Sequence, residues 1–443
     1  MSPPPSRHPS SRTPLRPSAL ATVGLAMIVG LSACAGSPNP PSTAQLSKAS
    51  GVTFAQIGID EVRDGADATV RAARGLGWDL IRAGADGTGN MVVSPWSAQT
   101  ALAMVRAGAG GRTAAELDTV LGGYDPHALA ALAGQLSSAE GDPGRVDPDN
   151  PPDDPVYHQG NGVFVDKSLR VRPDYLTALG RYFNSGYYPV EFASKRSAAT
   201  IAEWLSVNTG DQITTPPVPY NPDTVMSLLS TVYLAAAWQT PFSPGSTMQS
   251  AFTRTDGEVV QAEMMHATPR VRVVEGDTWR AVELPYGAGS TDSGLAMQVI
   301  LPDRPGIAPA QAVTADVLGD VASRLRAATP SPVQLSLPRW QTDTKMNLIP
   351  TLQKLGVRQL FTDRADLEAI GPRLTVSAAA QSGTITVGEK GTVAAAATQI
   401  DLMPTSVPLG EPFVVDRPFA YQIIDVATGL PLFVGTVDDP TTR

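Results

Sequence analysis

Residues 389–398 read EKGTVAAAAT: a charged pair, a glycine, then a run of very small side chains. Alternation follows at once, with Gln399 and Asp401 polar and Ile400 and Leu402 apolar. A β-strand sends successive side chains to opposite faces. The even-numbered positions Thr392, Ala394, Ala396 and Thr398 therefore read as one inward face, and Val393, Ala395 and Ala397 as the other. Four alanines alone favour a helix, whereas the alternation beyond them favours a strand. A strand this slim on its inward face is of a size to slide between two strands already in place. Glu389-Lys390-Gly391-Thr392 is not a phosphate loop, because the preceding glycine spacing is missing.

The rest of the composition argues against catalysis. Of the four histidines, His127, His158 and His266 lie beyond the first residues, and Cys34 is the only cysteine. No cluster has the spacing of a metal site, and no G-x-S-x-G elbow occurs. We expect no enzyme and no cofactor. The net charge of −9, with no basic run, argues against nucleic acid and mainly favours solubility.

Seven blocks carry a family resemblance. Residues 90–121 read NMVVSPWSAQTALAMVRAGAGGRTAAELDTVL, and NGVF follows at 161–164. EWLSVNTG stands at 203–210, then Trp238, Phe242, Thr247, Phe252 and the pair Met264–Met265. ELPY at 283–286, VILPD at 299–303, and Pro418–Phe419 with LFVGTVDDP at 432–440 complete the series. In this order the blocks resemble the serpins, and residues 389–398 resemble the hinge of that family.

The resemblance implies an α+β fold of three β-sheets, about eight or nine helices and an exposed reactive-centre loop near residues 389–410. The hinge would comprise Glu389, Gly391, Thr392, Ala394, Ala395, Ala396, Ala397 and Thr398. Counted from it, the reactive bond falls between Thr405 and Ser406, inside Met403-Pro404-Thr405-Ser406-Val407-Pro408. The flanking prolines favour the extended backbone that a protease cleft binds. The implied activity is suicide inhibition of a serine protease by a monomer. The enzyme acylates on Thr405, the freed hinge enters the main sheet, and the distorted enzyme stays covalently bound. A small β-branched Thr405 suits elastase-like pockets, with subtilisin-like enzymes next.

Two departures from the family occur together. Inhibitory serpins usually carry Asn and His beneath the point where the sheet opens, and these positions align with Ser230 and Gln381. Ser94 and Ser97 of that cluster are retained, so a neutral network is expected there. The competing reading is a non-inhibitory serpin-fold surface lipoprotein that binds or carries a ligand. Such members tend to have bulky, charged or proline-bearing hinges, and Gly391 to Thr398 contain none of these.

The N-terminal region reads as a targeting segment. Arg7, Arg12 and Arg16 precede an apolar run from Ala19 to Leu31, too short to cross a bilayer and suited to a signal-peptide core. Leu31-Ser32-Ala33-Cys34 looks like a bacterial lipobox, which makes Cys34 the lipid attachment site. The expected organisation is a signal peptide at 1–33, a flexible lipid-anchored tether at 34–52 and one domain at 53–443. The mature protein would be secreted and held on the outer face of the bacterial cell membrane by more than one acyl chain. Residues 140–155 (EGDPGRVDPDNPPDDP) are expected to be a disordered surface loop.

Overall fold

Met226–Ala237 (MSLLSTVYLAAA) is buried at every position, as a strand covered on both faces must be. It lies near the middle of a six-stranded sheet. On one side it pairs antiparallel with Val156–Asp166, beyond which Tyr188–Val190 forms the edge. On the other side it pairs parallel with Ala378–Val387, but only where Ala378–Ser382 face Ser227–Thr231. Past that point the two strands no longer pair with each other, and among the described residues a gap separates them. Trp340–Asn347 closes the far edge.

The computed structural model describes residues 44–84, 89–147, 150–216, 219–220, 223–287, 294–392 and 411–442. Among the described residues there are nine α-helices and three sheets. The second sheet has seven strands in the order Met91–Val93, Leu430–Val437, Phe419–Asp425, Leu295–Pro302, Trp279–Pro285, Arg270–Glu275 and Ser331–Pro332. The third has four, Phe413–Val414, Leu335–Pro338, Val259–Ala267 and Met248–Thr253.

Two helices position the gap. Pro95–Arg106 begins with Ser94, whose side chain accepts from Ser97 N–H at 3.2 Å, and with Pro95 in the first turn. Both features favour a helix start. Residues 95–105 of this helix are all buried, so it is a core element beneath the sheet. Lys195–Asn208 is capped by Ser194 and buries Ile201, Trp204, Leu205 and Asn208. That i, i+3, i+4, i+7 stripe is one helix face. It shares an apolar cluster with Phe164, Leu229 and Ala380 of the six-stranded sheet.

Two expectations need correction. The folded body does not begin near Thr53 but is already packed at Ala44, which is buried in that same cluster. Ser47 and Tyr187 exchange backbone hydrogen bonds of 2.8 and 3.1 Å. Gly186 permits this approach, since a Cβ there would lie 2.1 Å from the Ser47 carbonyl oxygen. The polar composition of 34–52 hid a docking made by backbone groups. Likewise, the described part of 140–155 is ordered structure. Pro143–Arg145 forms a 3-10 turn capped by Asp142, and Ala237 N–H donates to the Pro152 carbonyl at 3.0 Å. Its proline and aspartate residues serve as turn starters and caps rather than breakers.

Candidate functional site

The mouth of the gap is filled by Gly391–Thr392, from the segment expected to be the hinge. Ala378–Val387 turns sharply through Gly388 and returns as the two-residue strand Gly391–Thr392. Gly388 and Gly391 exchange backbone bonds of 3.0 and 3.3 Å. The returning strand is antiparallel to both neighbours, with Thr392 opposite Val387 and Ala236, and Gly391 opposite Ala237. A Cβ on residue 391 would lie 2.0 Å from the Ala236 carbonyl oxygen, so only glycine fits this approach.

The turn is fastened from both sides. Trp238 donates its indole N–H to the Gly388 carbonyl at 2.9 Å and its backbone N–H to Lys390 at 2.7 Å. Phe242 N–H donates to the Glu389 carbonyl at 2.8 Å. The buried Glu389 carboxylate accepts from Thr247 Oγ1 at 2.7 Å and from Arg339 Nε at 2.8 Å. Burial works against the Arg339 charge, but Glu263 and Glu389 outweigh it and hold its pKa above the ordinary value. Lys390 Nζ reaches Asn150 Oδ1 at 3.2 Å.

Thr392 is 2 % exposed, and its hydroxyl hydrogen-bonds the Tyr286 hydroxyl at 2.5 Å. Tyr286 stacks on Trp238 with ring centroids 4.5 Å apart. Burial pushes the Tyr286 phenol far above its ordinary pKa, with Thr392 opposing the shift. It therefore remains a neutral donor or acceptor at any working pH.

Below the mouth, Ser94, Ser97, Ser230 and Gln381 come together where the two strands still touch. Ser97 and Ser230 are bonded hydroxyl to hydroxyl. Ser97 Oγ also donates to the Thr231 carbonyl at 3.2 Å and lies 3.3 Å from Asn161 Oδ1. Gln381 does not bond a serine hydroxyl. Its amide instead clasps the Ser94 backbone in both directions, accepting from N–H and donating to C=O at 2.9 Å each. This planar pair ties the strand Ala378–Val387 to the start of the helix Pro95–Arg106. It contains no titratable group.

Gln381→Leu keeps the volume and removes the clasp. The Ser94 carbonyl still accepts from Ala98 N–H at 3.1 Å, but its own N–H is left bare and buried. The expected cost is ~1–3 kcal/mol, read as a lower thermal midpoint of the intact protein.

Several of the named residues lie outside the described part of the chain. These are Ala394, Ala395, Ala396, Ala397, Thr398, the reactive bond Thr405–Ser406, and Cys34. Sequence reasoning missed Tyr286 and Arg339 as site residues. Tyr286 stood inside the ELPY block and gave a signal, whereas Arg339 belongs to no motif.

Residues 71–440 match the family model described as serpin (serine protease inhibitor). The chain belongs to the serpin family. It is similar to the putative serpin-Z6C of Oryza sativa subsp. japonica, with 33 % identity over 386 residues, covering 81 % of this chain and 92 % of the relative. In fold it is similar to the native state of the thermophilic serpin tengpin, with TM-score 0.74, 24 % identity, and coverage of 89 % and 99 % of the two chains. It is also similar to thyroxine-binding globulin in complex with thyroxine, with TM-score 0.68, 21 % identity, and coverage of 86 % and 100 %. The chain thus has the serpin fold, α+β with three sheets. Membership of the family supports protease inhibition as the general activity and gives no reason to expect catalysis.

Proposed function

We propose that this serpin is a suicide inhibitor of elastase-like or subtilisin-like serine proteases, working as a monomer. The observation that carries the reading is Gly391–Thr392 seated between Val387 and Ala236, at the head of a gap in the sheet.

A strand entering after cleavage would continue that register. Val393 to Ala396 would then fall opposite Ala235 to Val232 on one side and Thr386 to Gly383 on the other. Ala397 would meet Ser382 and Thr231, the first residues that pair directly with each other. Further entry must break the pairs from Ser382–Thr231 to Ala378–Ser227, which the Gln381–Ser94 clasp helps to hold. The run of alanines suits a slot already walled by Ala236, Ala235 and Gly383.

In the acyl-enzyme, the protease serine oxygen is bonded to the Thr405 carbonyl carbon, and Ser406 leaves with the new amino terminus. Deacylation needs a water activated by the protease histidine and an oxyanion hole in register. Strand entry pulls the ester out of that register. The test is incubation with an elastase-like protease, followed by boiling in SDS. An adduct that survives supports the reading. Complete loop cleavage without adduct would favour the non-inhibitory binding or carrier role.

We further propose attachment to the outer face of a bacterial membrane through Cys34. The support is the residue pattern before it, a basic stretch, an apolar run and Leu-Ser-Ala-Cys. No helix among the described residues is long and apolar enough to cross a membrane. Cys34→Ala is expected to move the protein from the membrane fraction to the medium or leave its leader uncut. A labelled fatty acid should mark the wild type alone, and equal labelling of both proteins would rule the attachment out.

A further inference from the structure

One buried titratable residue that the loop mechanism does not use joins two elements of the fold. His158, on the strand Val156–Asp166, is 1 % exposed. Its Nδ1 lies 2.7 Å from Glu140 Oε1 and its Nε2 lies 2.9 Å from Asn208 Oδ1. Asn208 donates its own amide N–H to the Trp204 carbonyl at 2.6 Å, which fixes the amide oxygen towards the ring. Both ring nitrogens thus face acceptors. Neutral imidazole has one donor and one acceptor nitrogen, so only imidazolium satisfies both.

The electrostatic surroundings agree. Burial opposes the charge, but the hydrogen bond and field of Glu140, aided by Asn208 and Asp142, raise the pKa above its ordinary value. Arg145, 3.3 Å from Asp142, is 86 % exposed and turned outward. Tyr233, the register partner of His158, is pushed up to about 12 by burial and is uncharged near neutrality. Thr231, on the same face, is neutral and bonds the Gly160 carbonyl. Gly160 leaves the room that Asn208 occupies, since a Cβ there would lie 2.8 Å from Asn208 Oδ1.

Asn208 ends the helix Lys195–Asn208, whose Ile201, Trp204 and Leu205 share a cluster with Leu229 and Ala380. Leu229 and Ala380 are register partners in the closed part of the gap. The helix therefore covers the two strands that entry must separate. We propose that His158, charged and held by Glu140, is a pH-sensitive pin that fastens this helix over the closed part of the gap, so that rising pH frees the helix and eases strand entry. The second half of this statement rests on the insertion reading, and the pin itself does not.

A raised folded-state pKa gives stabilisation that is complete below the ordinary histidine value and is lost as pH rises through the raised value. Hydrogen exchange of the amides in 195–208, corrected for intrinsic rates, measures helix opening between about pH 6 and 10. Opening should rise with pH by about tenfold for each unit by which the closed helix raises the pKa. In Glu140→Gln the rise should begin at lower pH, and in His158→Gln it should vanish. A flat wild-type profile, or a step that persists in His158→Gln, overturns the pin. If His158→Gln does not fold, an unmoved midpoint in Glu140→Gln overturns it. A second arm follows annealing of the synthetic peptide TVAAAATQIDLM into the intact protein over the same pH range. Annealing that speeds up along with helix opening supports the link to strand entry. Helix opening that depends on pH beside annealing that does not overturns that link. Failure to anneal at any pH counts against insertion, and the exchange profile then judges the pin alone.

Discussion

Thr392→Arg is expected to abolish the covalent protease complex while leaving the loop cleavable. Thr392 is already inside the sheet, 2 % exposed, with its hydroxyl on Tyr286 and the Tyr286–Trp238 stack beside it. The described partners of Thr392, which are Tyr286, Val387 and Ala236, carry no charge to pair with an arginine. Removing a guanidinium from water without a partner costs about 3–5 kcal/mol. The hinge would leave the mouth of the gap, and every later step of entry would start from a poorer position. If that cost appears in the barrier to insertion, entry slows about 10²–10⁴-fold. On the proposed mechanism, inhibition is a race between entry and deacylation, so hydrolysis would win and the protease would be released active. The measurement is the yield of SDS-resistant adduct and the moles of inhibitor consumed per mole of enzyme. An unchanged adduct yield would contradict the inward placement of Thr392.

The effect of this substitution on the uncleaved protein could not be read from the sequence. Alternation in 389–402 assigns faces, but it does not say how far the strand has already entered. That depends on the register between Val387, Thr392 and Ala236, which involves residues more than 150 positions apart in the chain. The same limit applies at Gln381. Its alignment with Ser94, Ser97 and Ser230 was legible, and all four residues do meet. Its partner is the Ser94 backbone rather than a hydroxyl, a choice made by where the helix Pro95–Arg106 begins. Arg339 was invisible because an arginine after a strand carries no signal until a buried Glu389 is seen to need it. The start of the body at Ala44 was missed for a related reason. Two backbone hydrogen bonds to Tyr187 hold it, and composition records only side chains. The sheet strands themselves were easier. The apolar residues of NGVF, ELPY, VILPD and LFVGTV fall in strands and lie mostly in the core.

The second large effect concerns stability. Among the described residues only Gly391–Thr392 lies between Met226–Ala237 and Ala378–Val387 beyond their direct pairing. Cutting a chain ordinarily lowers stability by releasing chain entropy. On the proposed insertion mechanism, the cut would free the hinge to complete the sheet. A strand from Thr392 to Leu402 would add on the order of ten ladder hydrogen bonds at ~1 kcal/mol each. In a chain of this size each kcal/mol is worth roughly 2–4 °C, so a rise of tens of degrees is expected. The intact fold is then a kinetically held state rather than the most stable one.

The direct measurement is a pair of melting curves, one of intact protein and one of protein cut at Thr405–Ser406 by a protease that does not remain bound. The cut form is expected to melt tens of degrees above the intact form. A cut form that melts at or below the intact one would mean that the strand does not enter, and would contradict the insertion mechanism.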